Sequence, residues 1–297
     1  MNLFVLISNT NVMQKTFVPL RLGAVLFFSA CALSLPLSAE LPAATPSDAP
    51  QKPAFNPEKA ESSRLPLPSP YDKLLAIESA AGGRPIKWGK VYDAVAIDVD
   101  ANSCPDKISA ALALGVKIAD GLVAVKAQDI EKLNTCATQI ESIAKKLGAG
   151  DEELKRARLV RENANKGKWL NVFLELGFLQ ADIMKVLNRP ENLDMRKLII
   201  ATGWMQGARH VTYYLKENYN PEISNVLREP MLVGELGKEI NALPPNILAH
   251  PRVKTLPGAL KSALPIVSIG KEESVSKQNV AALKSIADAT IKSALDQ

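Results

Sequence analysis

The residues best suited to chemistry in this 297-residue chain lie in the mainly apolar segment 193–219. Its apolar side chains cover most of the helical circumference, which is typical of a helix buried at the centre of a protein. Its polar side chains share one edge at i, i+3, i+4 and i+7 spacing: Thr202, Gln206, Arg209, His210, Tyr213 and Glu217. We call this edge the polar stripe.

The polar stripe would form a binding site if it faced a cavity. Arg209 would pair with an anion, His210 would titrate, and Gln206 and Tyr213 would supply neutral hydrogen-bonding groups. Trp204, on the same helix, is a further candidate: a carrier should lose its ligand when Trp204 or Arg209 is replaced. We therefore treat these five residues as candidate ligand-binding residues. A narrow strip that faces solvent is the alternative explanation of the pattern.

The segment 168–188 is a second helix with an apolar majority and a few carboxylates. Glu175 and Asp182 are seven residues apart, which places them about 10 Å apart along a helix axis. That separation is longer than the one glycosidases use between paired carboxyl groups, so a catalytic pair on this one helix is not expected. Either carboxylate could pair with Arg209 or Arg228 across a helix interface, or simply face solvent.

Metal- and nucleophile-based catalysis has little support in the sequence. His210 and His250 are the only two histidines, and neither has the spacing of a zinc site. No glycine-rich nucleotide motif and no serine-hydrolase motif occurs. Asp98-x-Asp100-x-Asn102 opens like a calcium loop, but serines stand where the loop needs its glycine and its last glutamate. We predict no catalytic residue, no metal and no cofactor.

Cys104 and Cys136 are the candidates for a disulfide, because an exported chain with two thiols commonly pairs them. A helical hairpin that turns at Asp120-Gly121 would bring the two cysteines level. A turn at Gln128-Asp129 would offset them by roughly 20 Å, too far for a bridge. Asp-Gly favours a turn and Asp129 favours a helix start, so both geometries remain open.

The N-terminus has the pattern of a secretory signal. Residues 1–39 contain no acidic residue. Lys15 and Arg21 precede the apolar run Leu22–Leu35, and Leu37-Ser38-Ala39 ends in a small residue suited to cleavage. The run is shorter than the roughly 20 residues of a membrane-spanning helix. We predict a signal peptide over residues 1–39, removed after Ala39.

Two alternatives concern the same leader. Phe28-Ser29-Ala30-Cys31 is similar to a bacterial lipobox, which would make Cys31 a lipidation site and the protein an outer-envelope lipoprotein. A retained anchor is the other alternative. Met13 is a second possible start, which would give a leader of more usual length.

The net charge of the chain does not indicate an acidic partner such as nucleic acid. The chain has 36 Lys and Arg against 31 Asp and Glu. Without Lys15 and Arg21 the net charge is +3, too small to indicate nucleic acid or anionic membrane as a partner. The basic residues of 155–168 alternate with glutamates, which is typical of a solvated helix face.

The rest of the chain is organised as a tether followed by helices. Residues 40–70 hold eight of the 20 prolines, which favours an extended, semi-rigid tether. Periodicity and stop signals predict an all-α fold with these helices: 71–81, 105–126, 129–147, 151–165, 168–188, 194–219, 221–242 and 275–295. We expect a compact bundle of about seven helices over 71–252, with a linker and a C-terminal amphipathic helix over 253–297. Residues 91–99 and 266–269 could form a minor two-stranded element.

Three of the predicted helices carry small residues four positions apart. These small-residue motifs are Gly115-x-x-x-Ala119, Gly177-x-x-x-Ala181 and Gly203-x-x-x-Gly207. Such spacing lets two helix backbones approach closely. Because charged residues flank the motifs, we interpret them as packing surfaces of a globular bundle, and predict no transmembrane helix after signal cleavage.

These patterns favour an exported bacterial envelope protein, periplasmic or extracellular, that is not an enzyme and that binds a partner or scaffolds an assembly. The alternative is a carrier of a small ligand or lipid, with a cavity beside the helix 194–219. A hydrolase or lyase built on Glu175, Asp182, Arg209 and His210 is less favoured. No nucleic-acid partner is predicted.

Overall fold

A computed structural model describes residues 70–82, 85–270 and 272–296. The helices of these residues, in chain order, are α1 Pro70–Ala80, α2 Trp88–Val95, α3 Lys107–Ala127, α4 Ile130–Lys146, α5 Asp151–Asn165, α6 Trp169–Leu187, α7 Leu193–Glu217, α8 Pro221–Ser224, α9 Pro230–Asn241, α10 Pro245–Leu248, α11 Leu256–Val267 and α12 Lys277–Leu295. The predicted signal peptide, Cys31 and residues 40–69 of the tether lie outside the described residues.

The all-α prediction is confirmed, but the number of helices is wrong: the described residues form twelve α-helices, not about seven. Proline explains part of the difference, because it lacks an amide proton and favours the first turn of a helix. The helix predicted over 221–242 is in fact α8, a 3₁₀ turn and α9, and α9 begins at Pro230. A further short helix, α10, begins at Pro245.

The two-stranded element is not found, since the described part of the chain contains no strand. Residues 88–95 form α2 instead. Val91 and Val95 are four residues apart, so they share one face of that helix, and both are buried. Val91 and Val95 of the predicted strand therefore belong to a helix of about two turns.

The centre of the fold is the contact between α3 and α7. Gly115 of α3 lies against Gly203 of α7. A Cβ atom placed on Gly115 would fall 2.3 Å from the Ile199 carbonyl oxygen and from Thr202 Oγ1. Two of the three small-residue motifs thus meet in the core, as their spacing predicted.

Helix α3 is the one described helix that is long and apolar enough to cross a membrane by length and composition. Its best window has a mean hydropathy of 1.8, and 83% of that window is buried inside the structure. Core helices commonly pass the same test. Here the apolar surface of α3 is used for packing against α2, α4 and α7.

The hairpin between α3 and α4 turns at Gln128 and Asp129. Gln128 has φ of 52° and ends α3, and Asp129 caps α4 by accepting a hydrogen bond from the Lys132 amide. The turn is therefore the later of the two that the sequence allowed. Cys104 and Cys136 are consequently offset along the hairpin.

The predicted disulfide is not formed, and both cysteines are free and buried. Lys146 Nζ donates to the Cys104 carbonyl oxygen at 2.9 Å. Lys146 is ten residues beyond Cys136 on α4, or about 15 Å along the axis. That offset exceeds the Cα separation of a disulfide, about 4.4–6.8 Å.

Helices α5 and α6 form a second hairpin, which α5 joins to α4. The C-terminal helix α12 packs on α7 and α11, where Leu283, Ala287 and Ile291 are fully buried. It is thus part of the same core as α3 and α7. This contact brings α12 beside the polar stripe of α7.

Candidate functional site

The polar stripe of α7 faces helix α3 and the end of α2. The side chains of Thr202, Gln206 and His210 are almost completely buried, at 0%, 0% and 1% exposure. Arg209 and Tyr213 are half-buried at the edge of the interface. The stripe from Thr202 to Tyr213 therefore lies within a contact between helices, whereas Glu217 at its C-terminal end is exposed to solvent.

Trp204 lies elsewhere on α7. It is buried, and its Nε1 donates to Glu229 Oε2 at 2.9 Å, where Glu229 precedes α9. The structure therefore brings Gln206, Arg209 and His210 together with one another, but not with Trp204. The Trp204 side chain instead takes part in a contact between α7 and the segment before α9.

Asp120 of α3 is the acceptor at the centre of this interface, and it is fully buried. Its Oδ1 accepts a hydrogen bond from Gln206 Nε2 at 2.6 Å and lies 3.2 Å from His210 Nε2. Its Oδ2 accepts from the Ile97 amide and from Lys117 Nζ, both at 3.2 Å. Both carboxylate oxygens are therefore in contact with donors on α3, α7 and the segment after α2.

Burial alone would raise the pKa of the Asp120 carboxyl. Contacts with His210, Lys117 and Gln206 outweigh it and hold the pKa below the usual value for aspartate. Asp120 is consequently a carboxylate at neutral pH, and its charge is compensated by a positive charge one turn earlier on α3.

That positive charge is Lys117, which is also fully buried. Besides its ion pair with Asp120, Lys117 Nζ donates to the Ile97 carbonyl oxygen at 2.8 Å. The amide and the carbonyl of Ile97 are thus both bound by this ion pair. The pair replaces the hydrogen bonds that the segment after α2 would otherwise make with water.

A chain of polar contacts connects this interior pair with the surface. Gln206 Oε1 accepts from Arg209 Nη1 at 2.8 Å, and Arg209 Nε donates to Asp288 Oδ1 of α12 at 2.7 Å. Lys284 binds the other oxygen of Asp288 at 2.5 Å. Arg209, which a ligand was expected to use, is therefore engaged by α12.

His210 Nε2 lies close to Asp120 Oδ1 but forms no hydrogen bond with any residue in the described part of the chain. Since His210 is 1% exposed, no substrate can reach its ring in this conformation. Its position suits a structural role.

Tyr92 and Cys136 extend the buried polar region toward α4. The Tyr92 hydroxyl lies 3.1 Å from Cys136 Sγ. Burial raises the pKa of the Tyr92 hydroxyl and of the Cys136 thiol. Both groups are therefore protonated at neutral pH, and Cys136 is not an activated nucleophile.

The second imidazole, His250, is fixed on both sides. Its Nε2 lies 3.1 Å from Asp106 Oδ2, and its Nδ1 accepts from the Arg252 amide at 3.3 Å. With both ring nitrogens engaged, neither is free to take a proton from a nucleophile. This pair connects the start of α3 with the segment after α10.

Glu175 and Asp182 pair neither with Arg209 nor with Arg228, as the sequence had suggested. Both bind Arg156 of α5, at 3.1 Å for Glu175 and 2.6 Å for Asp182. The four residues of the hydrolase hypothesis are thus not assembled into one site.

The acidic side chains of the loop that is similar to the start of a calcium site make local hydrogen bonds instead. Asp100 caps the following turn by accepting from the Asn102 amide, and Asp98 accepts from Gln139 of α4. Among the described residues, no group of three or more His, Cys, Asp or Glu side chains is placed to hold a metal ion.

Neither of two surface depressions in the described part of the chain reaches the polar stripe. One has a volume of about 360 Å³ and lies between α4 and α5, with polar and charged lining residues. The smaller, about 210 Å³, lies between α11 and α12 and is lined mainly by small side chains.

Helix α6 carries three exposed apolar side chains in the described part of the chain. Val172 packs into the core, whereas Leu170, Leu174 and Phe178 are 63%, 37% and 49% exposed. Each of these three residues is four positions from the next, so they form one row along the helix. We call this row the α6 face. Arg156 lies over the Phe178 ring at 4.8 Å from its centroid.

The sequence did not indicate Lys117 and Asp120 as parts of a buried network. They counted among the charged residues beside the small-residue motifs, and Asp120 also as part of a candidate turn. The available signal was their i, i+3 spacing inside an otherwise apolar helix, since charges buried in that way are generally paired.

Comparison of the chain with protein-family models, with characterised proteins and with solved structures finds no match.

Proposed function

We propose that this chain is an exported, non-enzymatic helical protein that binds a protein partner through the α6 face. The observation that carries the proposal is the exposure of Leu170, Leu174 and Phe178 in one row. The apolar side chains of a helix normally pack against the core of its own protein. Contiguous apolar surface left open on a folded protein commonly marks an interaction site.

The surroundings of the α6 face support binding to a protein. Arg156 stacks on Phe178, and it is held there by Glu175 and Asp182. Aromatic, aliphatic and arginine side chains surrounded by polar groups are the usual composition of an interface core and its rim. The side chains at this surface are also held in place before binding.

The non-enzymatic part of the proposal is supported by the state of the titratable groups. His210 is buried beside Asp120, and His250 has both ring nitrogens engaged. The thiol of Cys136 is protonated. The carrier alternative receives no such support, because the stripe expected to line its cavity is packed against α3.

Site-specific photo-crosslinking in the host tests the binding surface. A photoreactive amino acid placed at Leu174 should form one discrete adduct, which mass spectrometry identifies. The same amino acid at Met231, an exposed apolar residue of α9 at 76% exposure, should form none. No adduct at Leu174, or equal adducts at both positions, would contradict the proposal.

The intact mass of the protein from its host tests export. Removal of residues 1–39 should leave a chain that begins at Glu40. A heavier, lipid-modified chain that begins at Cys31 would establish the lipoprotein alternative instead. A chain that retains its whole N-terminus would contradict signal cleavage.

A further inference from the structure

The surface depression of about 360 Å³ between α4 and α5 is lined by polar and charged side chains alone. Asn134 belongs to α4, and Arg158, Arg161, Glu162 and Asn165 belong to α5. The four α5 residues follow i, i+3, i+4 and i+7 spacing, so they share one face of that helix. We call this feature the α4–α5 depression. It shares no residue with the polar stripe or with the α6 face.

Three of the lining residues are held in place by contacts between the two helices. Arg161 Nη2 donates to Glu141 Oε1 at 2.6 Å, and its Nη1 donates to Thr138 Oγ1 at 3.3 Å. Asn134 Nδ2 donates to Asn165 Oδ1 at 3.0 Å. The charge of Arg161 is therefore compensated by Glu141, and the two amides form a fixed part of the lining.

Arg158 and Glu162 are the two lining charges that stay uncompensated. They are four residues apart on one face of α5, where oppositely charged side chains are close enough to interact. Neither forms an ion pair with any residue in the described part of the chain, and Arg158 Nη2 donates instead to the Asp151 carbonyl oxygen at 3.2 Å. The depression thus presents one positive and one negative group side by side.

Asn134 adds an unsatisfied acceptor to these two charges. Its Oδ1 is buried and accepts no hydrogen bond from any of the described residues. Buried polar atoms of folded proteins nearly always have a hydrogen-bond partner, so one without a partner calls for an explanation. A ligand that donates a hydrogen bond to this oxygen would supply the partner.

We propose that the α4–α5 depression binds a free α-amino acid, with its carboxylate on Arg158 and its ammonium group on Glu162 and Asn134 Oδ1. A guanidinium group binds a carboxylate through two parallel hydrogen bonds. An ammonium group has three donors, enough for a carboxylate and an amide oxygen. Because Arg161 is already compensated, a ligand with a single charge would leave either Arg158 or Glu162 unpaired. The site goes beyond the proposed function and does not depend on it.

The lining also restricts the rest of the ligand. A volume of about 360 Å³ is in the range of small-molecule pockets, and none of the lining residues is apolar, so nothing there would receive an acyl chain or a large hydrophobic side chain. A small or polar amino acid is therefore expected. Because Arg158 and Glu162 are exposed, water and salt weaken their contacts with a ligand. We expect weak binding that declines as salt is added.

Proton–nitrogen NMR of the isotopically labelled protein at low salt tests the site. Glycine, L-serine and L-glutamine are added in turn, and at least one of them should shift the side-chain amide signals of Asn134 and Asn165 until the shifts saturate. Acetate carries only the carboxylate and methylammonium only the cation. At the same concentration and ionic strength, neither should produce a saturable shift.

Two variants remove one charge of the site each. Arg158→Gln and Glu162→Gln should each weaken amino-acid binding by about tenfold or more. Lys145→Gln and Glu152→Gln are the matched controls, because both residues are exposed and lie outside the lining. They should bind as the wild type does. All four positions are exposed, so all four variants should melt at the wild-type temperature.

Three results would overturn the proposal. The first is no saturable shift with any of the three amino acids, or binding that survives both Arg158→Gln and Glu162→Gln. The second is saturable binding of acetate alone, which would identify a site for simple anions. The third is a response to phosphatidylethanolamine vesicles but to none of the amino acids, which would identify a lipid headgroup as the source of the ammonium group.

Discussion

Asp120 and His210 face each other across the contact between α3 and α7, with Oδ1 and Nε2 3.2 Å apart and both side chains almost completely buried. Together with Lys117 and Gln206 they form a polar centre inside an apolar bundle. The buried ion pair between Lys117 and Asp120 contributes little net stability, but removing one partner leaves the other charge buried alone. We therefore expect single substitutions of Lys117 or Asp120 to destabilise the fold strongly.

We expect Lys117→Met to lower the free energy of unfolding by about 3–5 kcal/mol, since it leaves the Asp120 carboxylate buried without its cation. Urea denaturation measures the change. Lys185→Met is the matched control, because Lys185 also pairs with an aspartate three residues away but is 78% exposed. It should leave stability nearly unchanged. Equal effects of the two substitutions would contradict the importance of the buried pair.

Replacing both members of the pair should cost less than the two single substitutions together. In Lys117→Met with Asp120→Leu, no charge is left buried alone, so the double-mutant cycle should give a coupling of about 2 kcal/mol or more. Additive effects would show that the two residues act independently.

Gly115→Ala should destabilise the protein by about 3 kcal/mol, since the new Cβ overlaps backbone atoms of α7 that cannot rotate away. Gly237→Ala is the control. Gly237 lies inside α9 with no atom within 4 Å of its Cβ position, so alanine should stabilise that helix by about 0.5–1 kcal/mol. Thermal and urea unfolding of both variants measure the difference. A neutral Gly115→Ala would contradict the close crossing of α3 and α7.

Stability should fall as the solution becomes acidic. Burial opposes ionisation of Asp288, but Lys284 and Arg209 donate to it and hold its pKa below the usual value. The unfolded chain therefore binds a proton at higher pH than the folded chain. The stabilisation that ionised Asp288 gives the folded chain is complete above the unfolded aspartate pKa of about 3.9. It is lost as the pH falls through the lower pKa of the folded chain.

Asp288→Asn tests that pH dependence directly. The variant should be less stable than the wild type at neutral pH, and the difference should shrink as the pH falls below about 4. Melting temperatures across the acid range measure it. A difference that stays constant with pH would show that the Arg209–Asp288 contact contributes through packing alone.

Cys104 and Cys136 should both be free thiols. Alkylation of the denatured, unreduced protein should label Cys104 and Cys136, whereas the native protein should react slowly because burial raises the pKa of both thiols. Labelling that appears only after reduction would establish the disulfide and contradict the offset between the two residues.

Sequence patterns located most of the long helices well. Helices α3 to α7 and α12 begin and end within two residues of their predicted limits, because capping residues such as Asp129 and breakers such as Pro190 act locally. The shorter helices were missed or merged. A two-turn helix such as α2 shows too few residues for its period to be distinguished from a strand.

The orientation of the polar stripe could not be predicted from α7 alone. Helical spacing shows that Gln206 and His210 share an edge, but solvent, a cavity and a polar partner helix all produce the same pattern. The deciding residues, Lys117 and Asp120, are almost 90 positions earlier on another helix. Only the three-dimensional contact between α3 and α7 joins the two sets.

The contact between α7 and α12 has a consequence for how the protein folds. Leu283, Ala287 and Ile291 complete the core around α7, although α8, α9, α10 and α11 lie between the two helices in the chain. Docking of α12 therefore closes a long loop, and the entropy lost in closing it makes this a slower step than the pairing of adjacent helices such as α3 and α4.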